Sequence, residues 1–110
     1  SMNGREKMEN NEEKIIYSVH GAMKIFRAQA IPGTLYLLKD YIYFEADGIL
    51  KNSEIKNTFY YKDLKSVKFG LSISPFRIVI TEENSETWIF DQVPRKEGEK
   101  FVEMYNALNN

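Results

Sequence analysis

The chain contains no cysteine. That excludes disulfides and thiolate metal centres, and it fits an intracellular, cytoplasmic location. It has one histidine, His20, so a two-histidine metal site is excluded as well. No G-x-S-x-G elbow, G-x-G-x-x-G loop or G-x-x-x-x-G-K-[ST] loop occurs. The serines at 18, 53, 72, 74 and 85 are ordinary turn or strand residues. The carboxylate pairs Glu12-Glu13 and Glu82-Glu83 lie in polar stretches, where solvation gives them no catalytic pKa. No catalytic residue, metal or cofactor is therefore expected, and the chain does not read as an enzyme. Apolar runs stay far below the roughly 20 residues of a membrane-spanning helix, and residues 2–14 are too polar for a signal peptide. An excess of charge is also missing: 15 Lys and Arg stand against 16 Asp and Glu, net −1. Binding to nucleic acid, which is dominated by phosphate neutralisation, is not expected.

What is present is apolar and aromatic residue in quantity, 43% and 14% of 110 residues, enough for one domain with a core of its own. Residues 1–11 are expected to be a disordered or tag-derived lead-in, because Asn3 to Glu13 offers only Met8 for burial. The domain is expected over residues 12–110. Ile15, Ile16, Tyr17 and Val19 open it; Ala22 to Ala30 reads as the first long strand and Pro32-Gly33 as a turn. With Lys39-Asp40 as the next turn, Leu37 faces Ile42 and Leu35 faces Phe44 on a core side, while Tyr36 faces Tyr43 and Leu38 faces Tyr41 on the other. Asp47-Gly48 marks a turn and 48–57 a polar loop. Strands follow at Thr58–Lys62, Leu64–Phe69, Phe76–Thr81 and Thr87–Phe90, with a bend at Asp63. After Pro94, Phe101, Tyr105 and Leu108 recur at helical spacing, with Val102 and Met104 alongside. They predict an amphipathic helix of about four turns.

The succession of short strands closed by one C-terminal helix resembles the GRAM and bacterial pleckstrin-homology-like domains. The residues that carry the likeness are Gly33 before a strand, the Lys39-Asp40 turn, Ile42 to Phe44, the step Lys62-Asp63-Leu64-Lys65-Ser66-Val67, and Glu13 ahead of Ile15-Ile16. It spans about residues 12–109. The resemblance implies a mainly β fold: a barrel of about seven antiparallel strands capped by a C-terminal α-helix, acting as a binding module without chemistry of its own.

Relatives of that kind that bind phosphoinositides do so at the barrel mouth opposite the helix, through basic loops. The equivalent stretch here is Lys24-Ile25-Phe26-Arg27. Around the expected mouth, Arg27, Lys51 and Lys56 stand against Asp47, Glu54, Glu82, Glu83 and Glu86, a field of the wrong sign for a polyanion. A second basic set is Lys62, Lys65 and Lys68, with Arg77 as a neighbour; strand alternation puts Lys62 and Lys68 on one face and Lys65 on the other. Either set is a candidate for anionic lipid, though for the second a solvated surface, as on an edge strand guarded by lysine, is the preferred reading over an anionic-lipid or acidic-partner patch. Tyr36, Tyr41, Tyr43 and Tyr60 are the candidates for a protein interface, against the plainer reading of cross-strand aromatic pairs. Trp88 is expected in the core or against the helix. The leading expectation is recognition of a protein partner, self-association included, through the tyrosine face or an open strand edge. The runner-up is peripheral attachment to an anionic membrane, and the third reading is an apolar ligand held between barrel and helix.

Overall fold

The structure, a computed structural model, describes residues 14–26, 29–48, 56–70 and 76–109. Seven antiparallel strands form one sheet: β1 (Tyr17–Phe26), β2 (Gln29–Leu37), β3 (Tyr41–Ala46), β4 (Lys56–Tyr60), β5 (Leu64–Gly70), β6 (Phe76–Glu82) and β7 (Thr87–Val93). One helix, α1 (Arg95–Leu108), follows. The strand order is β4-β3-β2-β1-β7-β6-β5, so β1 joins the first four strands to the last three. The expected fold, mainly β with about seven antiparallel strands and a C-terminal helix, is the one observed. The lead-in at residues 1–11 lies outside the described residues.

The hairpin register follows the sequence pattern. Leu35 pairs with Phe44, Leu37 with Ile42 and Tyr36 with Tyr43. Lys39-Asp40 is the turn, closed by the Leu38 N–H donating to the Tyr41 carbonyl at 2.9 Å. Leu35, Leu37, Ile42 and Phe44 are completely buried, together with Ile78, Ile80, Phe90 and Phe101. Rings interlock across the core: Phe44 meets Phe90 at 5.3 Å and Phe59 meets Trp88 at 5.4 Å between centroids. Trp88 thus packs on β4, as a half-buried member of the core.

Two expectations fail near the N-terminus. The first strand is not Ala22–Ala30, because that stretch spans the end of β1 and the start of β2. Pro32-Gly33 is no turn either; it lies inside β2, opposite Ala22 and Gly21. Proline is tolerated there because β3 reaches only as far as Ala46, opposite Gly33. The Pro32 carbonyl still accepts the Asp47 N–H at 3.0 Å. Gly33 has a different reason to be glycine. A Cβ at this position would sit 2.4 Å from the Glu45 carbonyl oxygen and 2.6 Å from the Phe44 ring. Gly21, Gly33 and Ala46 lie in one cross-strand row, and the row of small side chains leaves room for Phe44.

Three irregularities curve the sheet. The β1–β2 ladder shifts between Lys24 and Phe26, and the β5–β6 ladder between Leu64 and Ser66. Opposite the shift between Phe76 and Ile78, β7 carries an extra residue, with Gln92 at φ 58. Such bulges sharpen local twist and let a strand bend. Gly21, Ala22 and Met23 of β1 are buried in succession, which a strand achieves only where it meets neighbours on both faces. The helix closes one end with Gly98, Phe101, Val102 and Tyr105, a clean i, i+3, i+4, i+7 stripe. Leu108, expected on that stripe, is 44% exposed, one turn too far to reach the barrel.

Two substitutions test this account. Gly33→Ala forces a methyl into backbone and ring and is expected to cost about 1–3 kcal/mol in urea unfolding. Ser85 occupies the left-handed region at φ 77 in the exposed β6–β7 turn. Left-handed backbone costs an L-residue roughly 1–2 kcal/mol. Ser85→Gly is therefore expected to raise the unfolding free energy by about 1 kcal/mol, with Ser85→Ala giving no gain.

Candidate functional site

The two ends of the strand order, β4 and β5, are consecutive in the chain yet do not pair. Three residues, Tyr61–Asp63, form a 3-10 turn between them. Tyr61 is pinned twice: its N–H donates to the Asp40 carbonyl at 3.0 Å, and its hydroxyl donates to the Leu38 carbonyl. Its ring stands edge-on to Tyr105 of α1, 5.1 Å between centroids. At the far end of the turn the Asp63 carbonyl accepts the Glu83 N–H at 2.9 Å. The turn is thus tied to the β2–β3 turn on one side and the β6–β7 turn on the other. β4 and β5 leave it along separate lines, and a seam stays open between them.

Two depressions flank the seam and share Leu64. The first, about 340 Å³, lies between β4 and the β6–β7 turn and is lined by Thr58, Phe59, Tyr60, Asp63, Leu64, Glu82, Glu83 and Asn84. Its character is acidic. Burial, then the neighbouring Glu86 carboxylate, and more weakly Asp63, push the Glu82 carboxyl above its ordinary range. The second, about 410 Å³, runs between β5 and the end of α1. Its walls are Leu64 to Lys68 on one side and Tyr61, Tyr105, Asn106 and Asn109 on the other. Among the described residues that line it, no carboxylate faces its two lysines.

The lysines were expected on opposite faces, and the structure corrects this. Lys62 belongs to the 3-10 turn and so has no strand parity. The register shift between Leu64 and Ser66 absorbs Lys65, since Leu64 pairs with Glu82 and Ser66 with Thr81. Lys68 pairs with Val79, two residues from Thr81. Lys65 and Lys68 are therefore two ladder steps apart, and both line the same groove. Arg77 does not join them. Its Nε lies 3.3 Å from Asp91, which also has Lys24 at 4.0 Å, and Asp91 is largely buried between them. Lys24 and Arg77 thus serve the β1–β7–β6 junction. Arg27 lies outside the described residues, as do Lys51 and Glu54.

The tyrosines also separate. Tyr41 is only 7% exposed and offers no surface to a partner, a correction to its place among the interface candidates. Tyr36 and Tyr43 are half-buried and stacked on each other at 6.2 Å. Their cross-strand neighbours, Ser18 and Thr58, are polar, so the two rings form an isolated pair rather than an apolar patch. Burial, followed by Glu45 and Tyr36, raises the Tyr43 hydroxyl. Tyr60 is the exception, 48% exposed at the edge of β4, resting against Tyr41 at 5.4 Å. Of the four tyrosines only Tyr60 reaches the seam. Sequence reasoning missed Tyr61, Asn106 and Asn109. Nothing local marks them; their importance comes from where the chain returns. His20 lies 3.6 Å from Asp47, both well exposed, away from either depression. No group of three or more potential metal-ligating side chains occurs among the described residues.

No protein-family model matches the chain, and no curated protein matches it in sequence. Among solved structures the fold is similar to that of the C-terminal domain of an unknown protein from Leishmania infantum. The TM-score is 0.72 over 96% of this chain and 94% of that one, at 12% identity. At that identity the likeness concerns the fold alone. No described helix is long and apolar enough to cross a membrane.

The Tyr61 anchor is testable by pH. Burial, with Tyr105 and Asp40 adding to it, raises the Tyr61 hydroxyl far above its ordinary 10.0. The unfolded chain then gives up this proton first, so stability is full below about pH 10 and falls as pH rises beyond it. Tyr61→Phe removes both that dependence and the bond to Leu38. The variant is expected to lose about 0.5–1.5 kcal/mol at pH 7 and to decline less steeply than the parent between pH 10 and 12. Equal slopes in urea titrations would show that Tyr61 ionises freely.

Proposed function

We propose that this chain is a non-catalytic protein-recognition module on a pleckstrin-homology-like scaffold of the GRAM type, with the seam between β4 and β5 as its binding surface. The observation that carries this reading is the pair of strand edges left without a strand partner among the described residues, each beside its own depression. An unpaired edge presents backbone donors and acceptors in a row, which suits the addition of an extended segment from another chain. Tyr60, exposed beside it, is a residue type enriched at interfaces. A second copy of the chain is one partner of this kind, so self-association belongs to the same reading.

One observation favours the alternative, attachment to an anionic membrane surface: Lys62, Lys65 and Lys68 are all exposed. Asp63, Glu82 and Glu83 border the same region and oppose approach to a broad anionic plane. Lys24 and Arg77 are held by Asp91. The protein reading is therefore the stronger.

Peptides selected from a random display library on the full chain, followed by amide mapping, test the proposal. Bound peptides are expected to shift and protect amides in Lys56–Tyr60 or Leu64–Gly70, while Tyr36→Ala and Tyr43→Ala change stability without changing affinity. Selected peptides that map to the Tyr36–Tyr43 face would move the interface there. Failure to select any peptide, with flotation on anionic vesicles, would replace the protein reading by the membrane one.

A further inference from the structure

Resting on the recognition reading above, we infer that the groove between β5 and the end of α1 takes one kind of partner: an acidic segment in extended conformation, laid along the β5 edge with carboxylates at alternate positions. The inference starts from the bulge. A regular strand would send Lys65 and Lys68, three residues apart, to opposite faces. The shift between Leu64 and Ser66 removes one step, and both lysines come to line one groove. An extended partner repeats its side chains on one face every second residue, so carboxylates at positions i and i+2 meet the two lysines in turn.

The walls match the same ligand. Leu64 and Val67 are buried beneath the groove, and Ser66, Asn106 and Asn109 add neutral polar groups around it. The Asn109 side-chain amide donates to the Tyr105 carbonyl at 2.9 Å, which holds this end of the helix wall in place. Among the described residues no carboxylate lines the groove, in a chain whose net charge is −1. Beyond Leu64 the sign reverses: Asp63, Glu82 and Glu83 line the adjoining depression. An acidic segment is thus attracted along Lys65–Lys68 and repelled beyond Asp63, which fixes its register along the edge. From Leu64 to Lys68 the strand advances three ladder steps, about 10 Å, room for about four extended residues. β5 against β5 of a second copy would bring these lysines toward each other, so a second copy is the weaker occupant.

The test uses the full chain and three fluorescein-labelled nine-residue peptides. One alternates Glu with Thr and Val. One has the same composition with its Glu residues in a block, and one alternates Lys with Thr and Val. Fluorescence anisotropy reads affinity and amide chemical shifts read location. The alternating acidic peptide is expected to bind tightest, to shift residues 64–68 and 105–109, and to weaken in higher salt. Lys65→Glu and Lys68→Glu are each expected to reduce its affinity about tenfold, and Lys65→Gln and Lys68→Gln less. All four substitutions fall at two exposed positions, and thermal unfolding verifies that the variants fold. Equal affinity for the blocked and alternating peptides overturns the spacing argument. Binding of the basic peptide at the seam overturns the charge assignment yet leaves the recognition reading intact. Shifts that map away from both β4 and β5 overturn both. Vesicles of phosphatidylserine and phosphatidylcholine that bind more strongly than the acidic peptide, and lose binding in the same variants, assign the groove to a membrane and overturn the inference.

Discussion

Three residues, Tyr61–Asp63, decide where the sheet stops being continuous, and most of what is distinctive in this molecule follows from that. Consecutive strands joined by so short a link ordinarily pair as an antiparallel hairpin, but the six antiparallel pairings that connect β4 to β5 through the rest of the sheet leave these two running in the same sense. Here the link is a 3-10 turn whose backbone is engaged elsewhere, with the Asp40 carbonyl at its start and the Glu83 N–H at its end. Because those bonds tie it to hairpin turns in both halves of the sheet, β4 and β5 cannot swing together without breaking them. Tyr61 adds a side chain to the tie and rests against Tyr105, so the helix position depends on the same turn. The barrel is therefore held open at one place by the interactions that hold its halves together.

Much of the fold was legible because alternation in this chain is tied to burial. Leu35, Leu37, Ile42 and Phe44 can occupy only one face, and the Lys39-Asp40 turn then sets the register without further information. The helix is legible for the same reason: Phe101 and Tyr105 recur at helical spacing after a proline that starts it, and both are buried. What misled was punctuation. Pro32-Gly33 carries the local signal of a turn, yet it sits within a strand, because the missing proline N–H falls beyond the end of β3 and the missing Cβ makes room for Phe44. Local propensity was overridden by a contact that only the assembled sheet supplies.

The site was less legible, and the reason is parity. Assigning lysines to faces by counting presumes an unbroken strand, whereas Lys62 itself sits in a 3-10 turn and a bulge intervenes before Lys68. Neither has a composition that marks it. The tyrosines separated for a related cause, with Tyr41 buried and Tyr60 exposed: alternation gives a face but not what covers that face. Tyr41 and Leu38 belong to the side opposite the core cluster and are nevertheless buried.

An open seam carries a cost, since unpaired edges invite uncontrolled association. This chain places charge of opposite sign along the two depressions of its seam. Lysines on β5 discourage a second β5, and the carboxylates around Glu82 discourage any segment that is acidic throughout from spanning the whole seam. Burial, followed by the neighbouring Glu86 carboxylate, raises the Glu82 carboxyl above its ordinary range. If the seam is the recognition surface proposed above, the same crowding would act as selectivity, making the edge unfavourable for many of the segments that β-pairing alone would accept.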